Sequence, residues 1–274
     1  MLPALIATDL DGTLLGPDGR VSSGNAGALW RAHRLGVPIA ITTGRPLRWL
    51  ADLEPIAATR PHVICSNGAV RVDIATGAVE RRHVVPPPVG LEVVAELREQ
   101  LPDVSFAVEA GPGWGCEPSF PLRGDGVVPD VVAPIEELLG LEVVKLLVVS
   151  PRHDSDALAE ALIPVVAERL TATWSMTGSR GLLEIGPPGV SKASALRELC
   201  DELGVAMADV VAFGDMPNDL AMLREVGHPY AMANGHPALH AEGFPIAPHH
   251  GDDGVAQVLA RVLDAIGSTP GQPA

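Results

Sequence analysis

Two aspartates that stand two residues apart follow the first apolar segment of the chain. The segment ends at Thr8, and Asp9, Asp11, Gly12 and Thr13 come directly after it. At the carboxyl end of a parallel strand, such side chains face the crevice in which α/β proteins bind ligands. One carboxylate could attack an electrophile or hold a cation, and the other could move protons. Taken alone, this spacing is equally typical of a surface turn.

Three further positions have the residue types that such a site needs. Asp215 and Asp219 follow another apolar segment, and oxygen donors without nitrogen or sulfur favour Mg²⁺. Thr43 and Gly44 follow a third segment, where a hydroxyl and backbone N–H groups at a helix start suit phosphate oxygens. Lys192 opens a predicted helix, at the end where the helix dipole disfavours a cation. We therefore expect Lys192 to compensate a negative charge elsewhere in the fold.

In this order, the motifs resemble those of the haloacid dehalogenase (HAD) superfamily of phosphohydrolases. The stretches that match its four motifs are Asp9-x-Asp11-Gly12-Thr13, Thr43, Lys192 and Gly214-Asp215-x-x-Asn218-Asp219. Residues 84–187, between the second and third motifs, resemble the large α/β cap of its Cof-type, class IIB branch. The resemblance implies an α/β fold with a Rossmann-like parallel-sheet core and this inserted cap, together with Mg²⁺-dependent phosphatase activity.

The resemblance also implies a role for each matching residue. Asp9 would attack phosphorus and form an aspartyl-phosphate, and Asp11 would protonate the leaving alcohol and then take a proton from water. The groups expected to bind phosphate are Thr43, Gly44, Lys192 and Asn218. The expected Mg²⁺ ligands are Asp9, the backbone carbonyl of Asp11, Asp215 and Asp219. Mg²⁺ and a lysine would offset the repulsion between these carboxylates and a phosphate dianion.

Five other residues are candidate substrate or cap contacts: Arg45, Asn67, Gly68, Glu117 and Arg123. Arg45 also suits a salt bridge, and Asn67-Gly68 equally suits a simple turn. Glu117 and Arg123 belong to a long irregular stretch, residues 111–125, of the kind that often carries function.

The residue types at three further positions suit more than one role. Thr42 precedes Thr43, and we favour Thr43 as the phosphate ligand because of its spacing to Gly44-Arg45. Lys145 lies in an apolar strand, and we interpret it as a residue with a buried stem and a solvated head. His249-His250 beside two aspartates is interpreted as part of a polar surface loop and not as a metal site.

Short apolar runs alternate with segments of helical period at both ends of the chain, which indicates a parallel sheet covered on both faces. The predicted strands here are residues 4–8, 37–42, 62–65, 210–213 and 230–232, and the predicted helices are 25–35, 46–53, 192–203, 219–226 and 254–266. In the middle, the predicted strands are 104–109, 141–150, 171–176 and 181–185, and the helices are 89–101 and 155–170. Pro-rich stretches at 86–88 and 187–188 bracket this middle segment. We therefore predict a discontinuous core, residues 1–83 and 188–274, and an inserted cap, residues 84–187.

Composition excludes several classes of protein. The chain of 274 residues has 34 acidic and 19 basic residues, a formal charge of −15, which argues against nucleic acid or an anionic membrane surface as partner. Three scattered cysteines form neither a disulfide framework nor a zinc site. There is no apolar run of about 18 residues and no basic segment before an apolar start, so we expect a cytoplasmic protein without a membrane span.

The expected partner is a small phosphorylated metabolite. The resemblance favours a sugar phosphate first and phosphorylated cofactors such as pyridoxal phosphate or flavin mononucleotide second. A phosphomutase of the same fold and a non-catalytic binding protein that kept the fold are the alternatives. The chain is expected to be a monomer or a homodimer.

Overall fold

The strands and helices follow the alternation that the sequence predicts. The computed structural model describes residues 2–122, 127–177 and 180–264. Its strands are β1 Leu5–Thr8, β2 Ile39–Thr42, β3 His62–Cys65, β4 Val70–Asp73, β5 Val79–Arg82, β6 Ser105–Ala110, β7 Gly113–Cys116, β8 Val131–Val132, β9 Val143–Ser150, β10 Thr171–Thr173, β11 Gly181–Gly186, β12 Val210–Gly214, β13 His228–Met232 and β14 Ile246–Ala247. Its α-helices are α1 Ser23–Arg34, α2 Pro87–Gln100, α3 Ile135–Leu138, α4 Ser155–Val166, α5 Lys192–Leu203, α6 Leu220–Glu225, α7 Pro237–Ala241 and α8 Gly254–Asp264.

The first sheet has the strand order β14-β13-β12-β1-β2-β3-β4-β5. The strands from β14 to β3 pair in parallel, and β4 and β5 extend the sheet with antiparallel pairing. Strand β1 lies at the centre, between β12 and β2. The ends of these three strands therefore meet at one edge, and the segments that follow them come together there.

Both faces of the first sheet are covered, as continuous apolar strands require. Because side chains alternate along a strand, Leu5 and Ala7 of β1 pack in the cluster that includes α5 and α6. Ile6 packs on the opposite face, in the cluster that includes α1 and α8. Every residue of β1 and β2 is buried. The confirmed fold class is thus an α/β, Rossmann-like sheet with helices on two sides.

The second sheet has the strand order β10-β11-β9-β6-β7-β8 and is antiparallel except for the β7–β8 pair. Helices α2 and α4 cover one face, where Leu146 and Val148 of β9 belong to the apolar cluster. The alternate residues Lys145, Leu147 and Val149 line a cavity that also includes residues of the first sheet's carboxyl edge. The second sheet therefore lies over that edge as a roof.

The observed elements differ from the predicted ones in a few places. The helix predicted at 46–53 consists of two 3₁₀ segments, Leu47–Trp49 and Ala51–Thr59, the second of which contains Pro55. Helix α4 contains Pro164, which is tolerated because a proline this close to the helix end removes little hydrogen bonding. The helix ends at Val166, four residues before the predicted end at residue 170. The predicted end of the last helix at 266 and the tail from 267 lie outside the described residues.

The strands of the two sheets occupy separate stretches of the chain. Those of the first sheet fall within residues 5–82 and 210–247, and those of the second within 105–186. The domain boundaries at 84 and 187 stay a prediction. Among the described residues, no helix has the length and apolar character that crossing a bilayer requires. The three cysteines are free and buried.

Candidate active site

Three of the predicted acidic residues come together at the carboxyl edge of the first sheet. Asp9 follows β1, and Asp215 and Asp219 follow its parallel neighbour β12. One carboxylate oxygen from each lies within 4.8 Å of the others, and all three residues are buried. Among the described residues, this is the one group of metal-ligand type that the structure brings together. His249 and His250 are not part of it.

Lys192 projects into this cluster from the first position of helix α5. Its Nζ donates hydrogen bonds to Asp9 Oδ1 at 2.5 Å and to Asp219 Oδ1 at 2.7 Å. The start of α5 is fixed by a capping box, in which Ser191 and Ser194 bond each other's backbone N–H groups. The expectation that this lysine compensates negative charge elsewhere is therefore met by two carboxylates.

The cluster has more negative charge than Lys192 can compensate. Burial raises the pKa of Asp9 well above its usual value, against the attraction of Lys192 and together with repulsion from Asp219 and Asp215. Burial, followed by repulsion from Asp219, raises the pKa of Asp215 to about 7. Burial opposes the charge of Lys192, but Asp219 and Asp9 outweigh it and raise the pKa of the ammonium. Hard oxygen donors with an excess of negative charge fit a divalent cation such as Mg²⁺.

Glycines allow the acidic segments to approach this closely. A Cβ on Gly12 would lie 2.2 Å from Asp215 Oδ2, and a Cβ on Gly214 would lie 2.5 Å from Asp219 Cβ. Gly12 also has φ +72°, in the left-handed region that favours glycine. Thr13 Oγ1 donates to Asp215 Oδ1 at 2.9 Å. The Asp-x-Asp-Gly-Thr motif thus contributes both a carboxylate and the support of a second one.

Asp11 has a different environment from the other aspartates. Its side chain is 55% exposed, and Arg45 holds it with two hydrogen bonds, Nε to Oδ2 at 2.8 Å and Nη2 to Oδ1 at 2.6 Å. Arg45 also donates to Asp52 Oδ2 at 2.6 Å. Arg45 therefore forms the salt bridge that its residue type suits, and in doing so it orients the Asp11 carboxylate. Asp11 contributes no carboxylate to the cluster, so its place among the metal ligands depends on its backbone carbonyl and stays a prediction.

The two threonines at the end of β2 point in different directions. Thr42 Oγ1 contacts Met222 Sδ at 3.5 Å, on the side of α6. Thr43 Oγ1 accepts a hydrogen bond from the backbone N–H of Arg45 at 3.0 Å. A Cβ on Gly44 would come within 4 Å of Asn67, Ser175 and Asn218, so this loop packs against the other candidate residues. The geometry leaves Thr43, and not Thr42, at the edge of the site.

Asn218 and Asn67 form a pair beside this loop. Asn218 Nδ2 donates to Asn67 Oδ1 at 3.0 Å, while Asn218 Oδ1 is buried without a hydrogen-bond partner. Gly68 has a structural role, because its φ is +107° and a Cβ there would lie 2.3 Å from the Ser191 carbonyl. Gly68 thus allows close packing against the start of α5, and its expected contact with substrate stays a prediction.

The cavity between the two sheets has a volume of about 940 Å³ and holds Asp9 and Asp11 on its floor. Its walls include the aromatic residues Trp49, Trp114 and Phe120. The expected cap contact Glu117 does not line it. Glu117 accepts from the Phe106 backbone N–H at 2.9 Å and pairs with Arg98, so it is a buried structural residue. Arg123 lies outside the described residues.

Sequence reasoning misjudged Lys145. Its side chain is 4% exposed, and its head is not solvated: Nζ donates to Glu184 Oε1 and to the Gly44 carbonyl, both at 2.7 Å. Glu184 and Glu109 are likewise buried and line the cavity. The sequence contains a signal for this buried pairing. Lys145 and Lys192 are the two lysines of the chain, and both Glu109 and Glu184 interrupt apolar strands.

The fold and the carboxylate cluster are those of an α/β protein in which a second sheet covers the acidic carboxyl edge of the first. The model of haloacid dehalogenase-like hydrolases matches residues 6–259, so the chain belongs to this family. An HMP-PP phosphatase of Cronobacter sakazakii is 30% identical over 264 residues, 94% of this chain and 95% of the relative. An HMP-PP phosphatase of Escherichia coli is 27% identical, over 95% of this chain and 96% of the relative. The chain is thus a phosphatase of the HAD family.

Solved structures support the same assignment. The HAD subclass IIB sugar phosphatase BT4131 superposes with a TM-score of 0.79 at 20% identity, over 94% of this chain and 98% of that chain. The HAD phosphatase BT1666 from Bacteroides thetaiotaomicron gives a TM-score of 0.78 at 25% identity, over 95% of both chains. These likenesses confirm the class IIB, Cof-type fold that the motifs predict.

Proposed function

We propose that the protein is a Mg²⁺-dependent phosphatase that hydrolyses a small phosphomonoester through an aspartyl-phosphate. The observation that carries the proposal is Asp9, a buried carboxylate that is hydrogen-bonded to Lys192 and open to the 940 Å³ cavity. A carboxylate beside a fixed ammonium suits nucleophilic attack on a phosphate, because the ammonium offsets the repulsion between the two anions.

The residues that would hold Mg²⁺ are Asp9 and Asp215, with Asp219 as a direct or indirect ligand and the Asp11 carbonyl as a fourth group. Their fit to a divalent cation is supported by the chemistry of the donor set, three buried carboxylates; burial first, and repulsion between the carboxylates second, raise the pKa values of Asp9 and Asp215. When bound, the metal would neutralise charge on the transferring phosphoryl group.

Each remaining step is assigned to a residue of this chain. Asp9 attacks phosphorus, the bond from phosphorus to the leaving oxygen breaks, and Asp11 gives its proton to that oxygen. Asp11 then takes a proton from water, which attacks the aspartyl-phosphate and releases inorganic phosphate and the free Asp9 carboxylate. Thr43, the Gly44 backbone N–H, Lys192 and the amide Nδ2 of Asn218 donate hydrogen bonds to phosphate oxygens; one hydrogen of that amide bonds Asn67 Oδ1 and the other is left for phosphate. The overlying second sheet limits the access of bulk water.

A sugar phosphate is the first candidate substrate, in keeping with the subclass IIB fold. A specific observation favours a second candidate, the phosphate ester of a planar aromatic or heteroaromatic compound. Trp114 and Phe120 lie edge to face, with ring centroids 6.4 Å apart, and both line the cavity with Trp49. Such walls stack on flat rings. Sugar phosphates and pyridoxal phosphate, compared by kcat/KM, discriminate between the two.

The test of the chemistry is the rate of phosphate release with Mg²⁺ by Asp9→Asn. We expect a loss of at least about 10³-fold, because the nucleophile is gone. Asp201→Asn, an exposed aspartate on α5, is the matched control and should keep full activity. Full activity of Asp9→Asn would overturn the nucleophile, and turnover after removal of divalent ions would overturn the metal. A phosphomutase, the rival reaction, would transfer the phosphoryl group to a second hydroxyl and would require a bisphosphate activator.

A further inference from the structure

A buried ionic cluster lies in the second sheet, directly above residues 43–45, the proposed phosphate-binding loop. Lys145 of β9 stands between Glu109 of β6 and Glu184 of β11, and each of the three residues is 3% exposed. Lys145 Nζ lies 2.7 Å from Glu184 Oε1 and 3.5 Å from Glu109 Oε2. Ser66 Oγ donates to Glu109 Oε2 at 3.0 Å. Arg48 Nη2 lies 3.7 Å from Glu109 Oε1 and completes the cluster, which borders the cavity but is almost fully buried.

Stability alone does not account for such a cluster. Removing charges from water costs several kcal/mol per ion, and apolar residues of similar volume are often as stabilising as a buried ion pair. The surrounding strands are otherwise rich in valine and leucine, which would fill the same space. The contact of Lys145 with the Gly44 carbonyl indicates a role other than packing.

That third contact reaches across to the first sheet. Lys145 Nζ donates to the carbonyl oxygen of Gly44 at 2.7 Å. This carbonyl and the N–H of Arg45 belong to one planar peptide unit, so the position of the oxygen fixes the direction of the N–H. The Arg45 N–H donates to Thr43 Oγ1 at 3.0 Å. Since a hydroxyl has one hydrogen and two lone pairs, Thr43 keeps its own hydrogen for a phosphate oxygen.

The Gly44–Arg45 peptide unit also affects Asp11, because the Arg45 side chain holds the Asp11 carboxylate. Its guanidinium holds both oxygens of Asp11, at 2.6 and 2.8 Å. One ammonium on the overlying sheet is thereby linked, through one peptide unit, to a phosphate ligand and to the proton donor. Glu184 and Glu109 outweigh burial and raise the pKa of Lys145, which keeps the ammonium charged.

We propose that Lys145 is a positioning residue that, through the Gly44 carbonyl, sets the Thr43 hydroxyl and the Arg45 side chain for phosphoryl transfer. The contact joins the two sheets, so it forms only when the second sheet covers the site. Assembly of the phosphate-binding loop is thereby coupled to closure over the substrate. This inference rests on the proposed function.

The test compares two variants that differ only at Lys145. Lys145→Met alone would leave the buried Glu184 carboxylate without a counter-charge, so its failure to fold would be uninformative; Glu109 keeps Arg48, whose Nη2 lies 3.7 Å from Glu109 Oε1. The single variant Glu184→Gln keeps Lys145 between Glu109 and the Gly44 carbonyl, and the double variant Glu184→Gln/Lys145→Met leaves Glu109 paired with Arg48. We expect kcat of the double variant to be about 10- to 100-fold below that of the single variant, with KM changed less than about threefold. Equal kcat values would overturn the proposal.

A double-mutant cycle separates positioning from a general structural effect. If Lys145 acts through Thr43 and Arg45, adding Lys145→Met to a Glu184→Gln/Thr43→Ala/Arg45→Lys background lowers kcat by less than about threefold. Full additivity of the Lys145 change and the loop changes would overturn the proposed route. Thermal unfolding of all variants shows whether each is folded at the assay temperature.

An activity-independent readout keeps this proposal distinct from the proposed function. Because the contact with Lys145 aligns the Arg45 amide with its acceptor, Thr43 Oγ1, hydrogen exchange of this amide should be at least about tenfold faster in Glu184→Gln/Lys145→Met than in Glu184→Gln. Unchanged exchange would overturn the positioning role even in an active enzyme. Retained activity of Asp9→Asn, assayed alongside, would instead overturn the proposed function and leave the exchange result valid.

Discussion

Replacement of Lys192 by methionine tests the electrostatics of the acidic cluster most directly. The substitution keeps an unbranched apolar side chain one atom shorter and removes the ammonium that lies 2.5 Å from Asp9 Oδ1 and 2.7 Å from Asp219 Oδ1. The Lys192 side chain is 1% exposed and that of Asp219 is 0% exposed, so water cannot replace the lost partner. Removing one member of a buried charge pair costs about 3–5 kcal/mol, because it leaves an uncompensated buried charge.

The loss should depend on pH with a defined sign. The pKa of Asp9 and that of Asp215 are already raised in the folded protein, the second to about 7, and loss of the ammonium raises them further. An acid whose folded-state pKa is raised favours folding below its unfolded pKa near 4, and this contribution disappears as pH rises through the folded value. The destabilisation caused by Lys192→Met should therefore be largest near pH 8 and smaller at pH 5.

Urea unfolding without divalent ions, followed by tryptophan fluorescence at pH 5 and pH 8, is the assay. At pH 8 we expect the urea midpoint of Lys192→Met to fall by about 1 M or more. Arg197→Met, which removes an exposed ion pair with Glu225 from the same helix, is the matched control and should cost less than about 1 kcal/mol. An unchanged midpoint at pH 8, or a deficit that does not shrink at pH 5, would refute the reasoning.

Three further predictions concern the site. Mg²⁺ affinity, measured by calorimetry, should be about tenfold weaker at pH 6 than at pH 8, because protons compete for Asp215 with its pKa of about 7; a pH-independent affinity would contradict this. Gly12→Ala places a Cβ against Asp215 and should lower kcat by about 10²-fold, whereas Gly19→Ala, at φ +74° with open space around it, should not change kcat. Arg45→Lys loses the two-pronged grip on Asp11 and should lower kcat about tenfold at similar KM; an unchanged kcat would show that Asp11 needs no such support.

The sequence predicted the site's acidic residues because their position is tied to strand ends. Asp9 and Asp215 each come directly after a continuous apolar segment, and parallel strands bring their carboxyl ends to one edge whatever lies between them. The start of α5 was equally readable, since Ser191 and Ser194 supply the cap that fixes Lys192 at the first helical position. Such signals are local, so no knowledge of the tertiary arrangement is needed.

Contacts between distant segments could not be predicted in this way. Glu117 was expected at the substrate, yet it is buried beside Arg98 and the Phe106 backbone, because the pairing of β6 with β7 turns it inward. Lys145 was expected to have a solvated head, and its alternation in β9 correctly separates it from Leu146. Whether the face of β9 that carries Lys145 is exposed to solvent depends on the placement of the second sheet over the first.

The amino-acid sequence by itself thus determined the α/β fold, the four motifs and the carboxylate cluster, since each depends on residue type and on spacing along one or two neighbouring elements. The tertiary structure decided how Arg45 holds Asp11 and how Lys145 reaches Gly44, 101 positions away in the chain. The physical reason is that a hydrogen bond of 2.7 Å depends on the relative placement of two sheets, which no local pattern encodes.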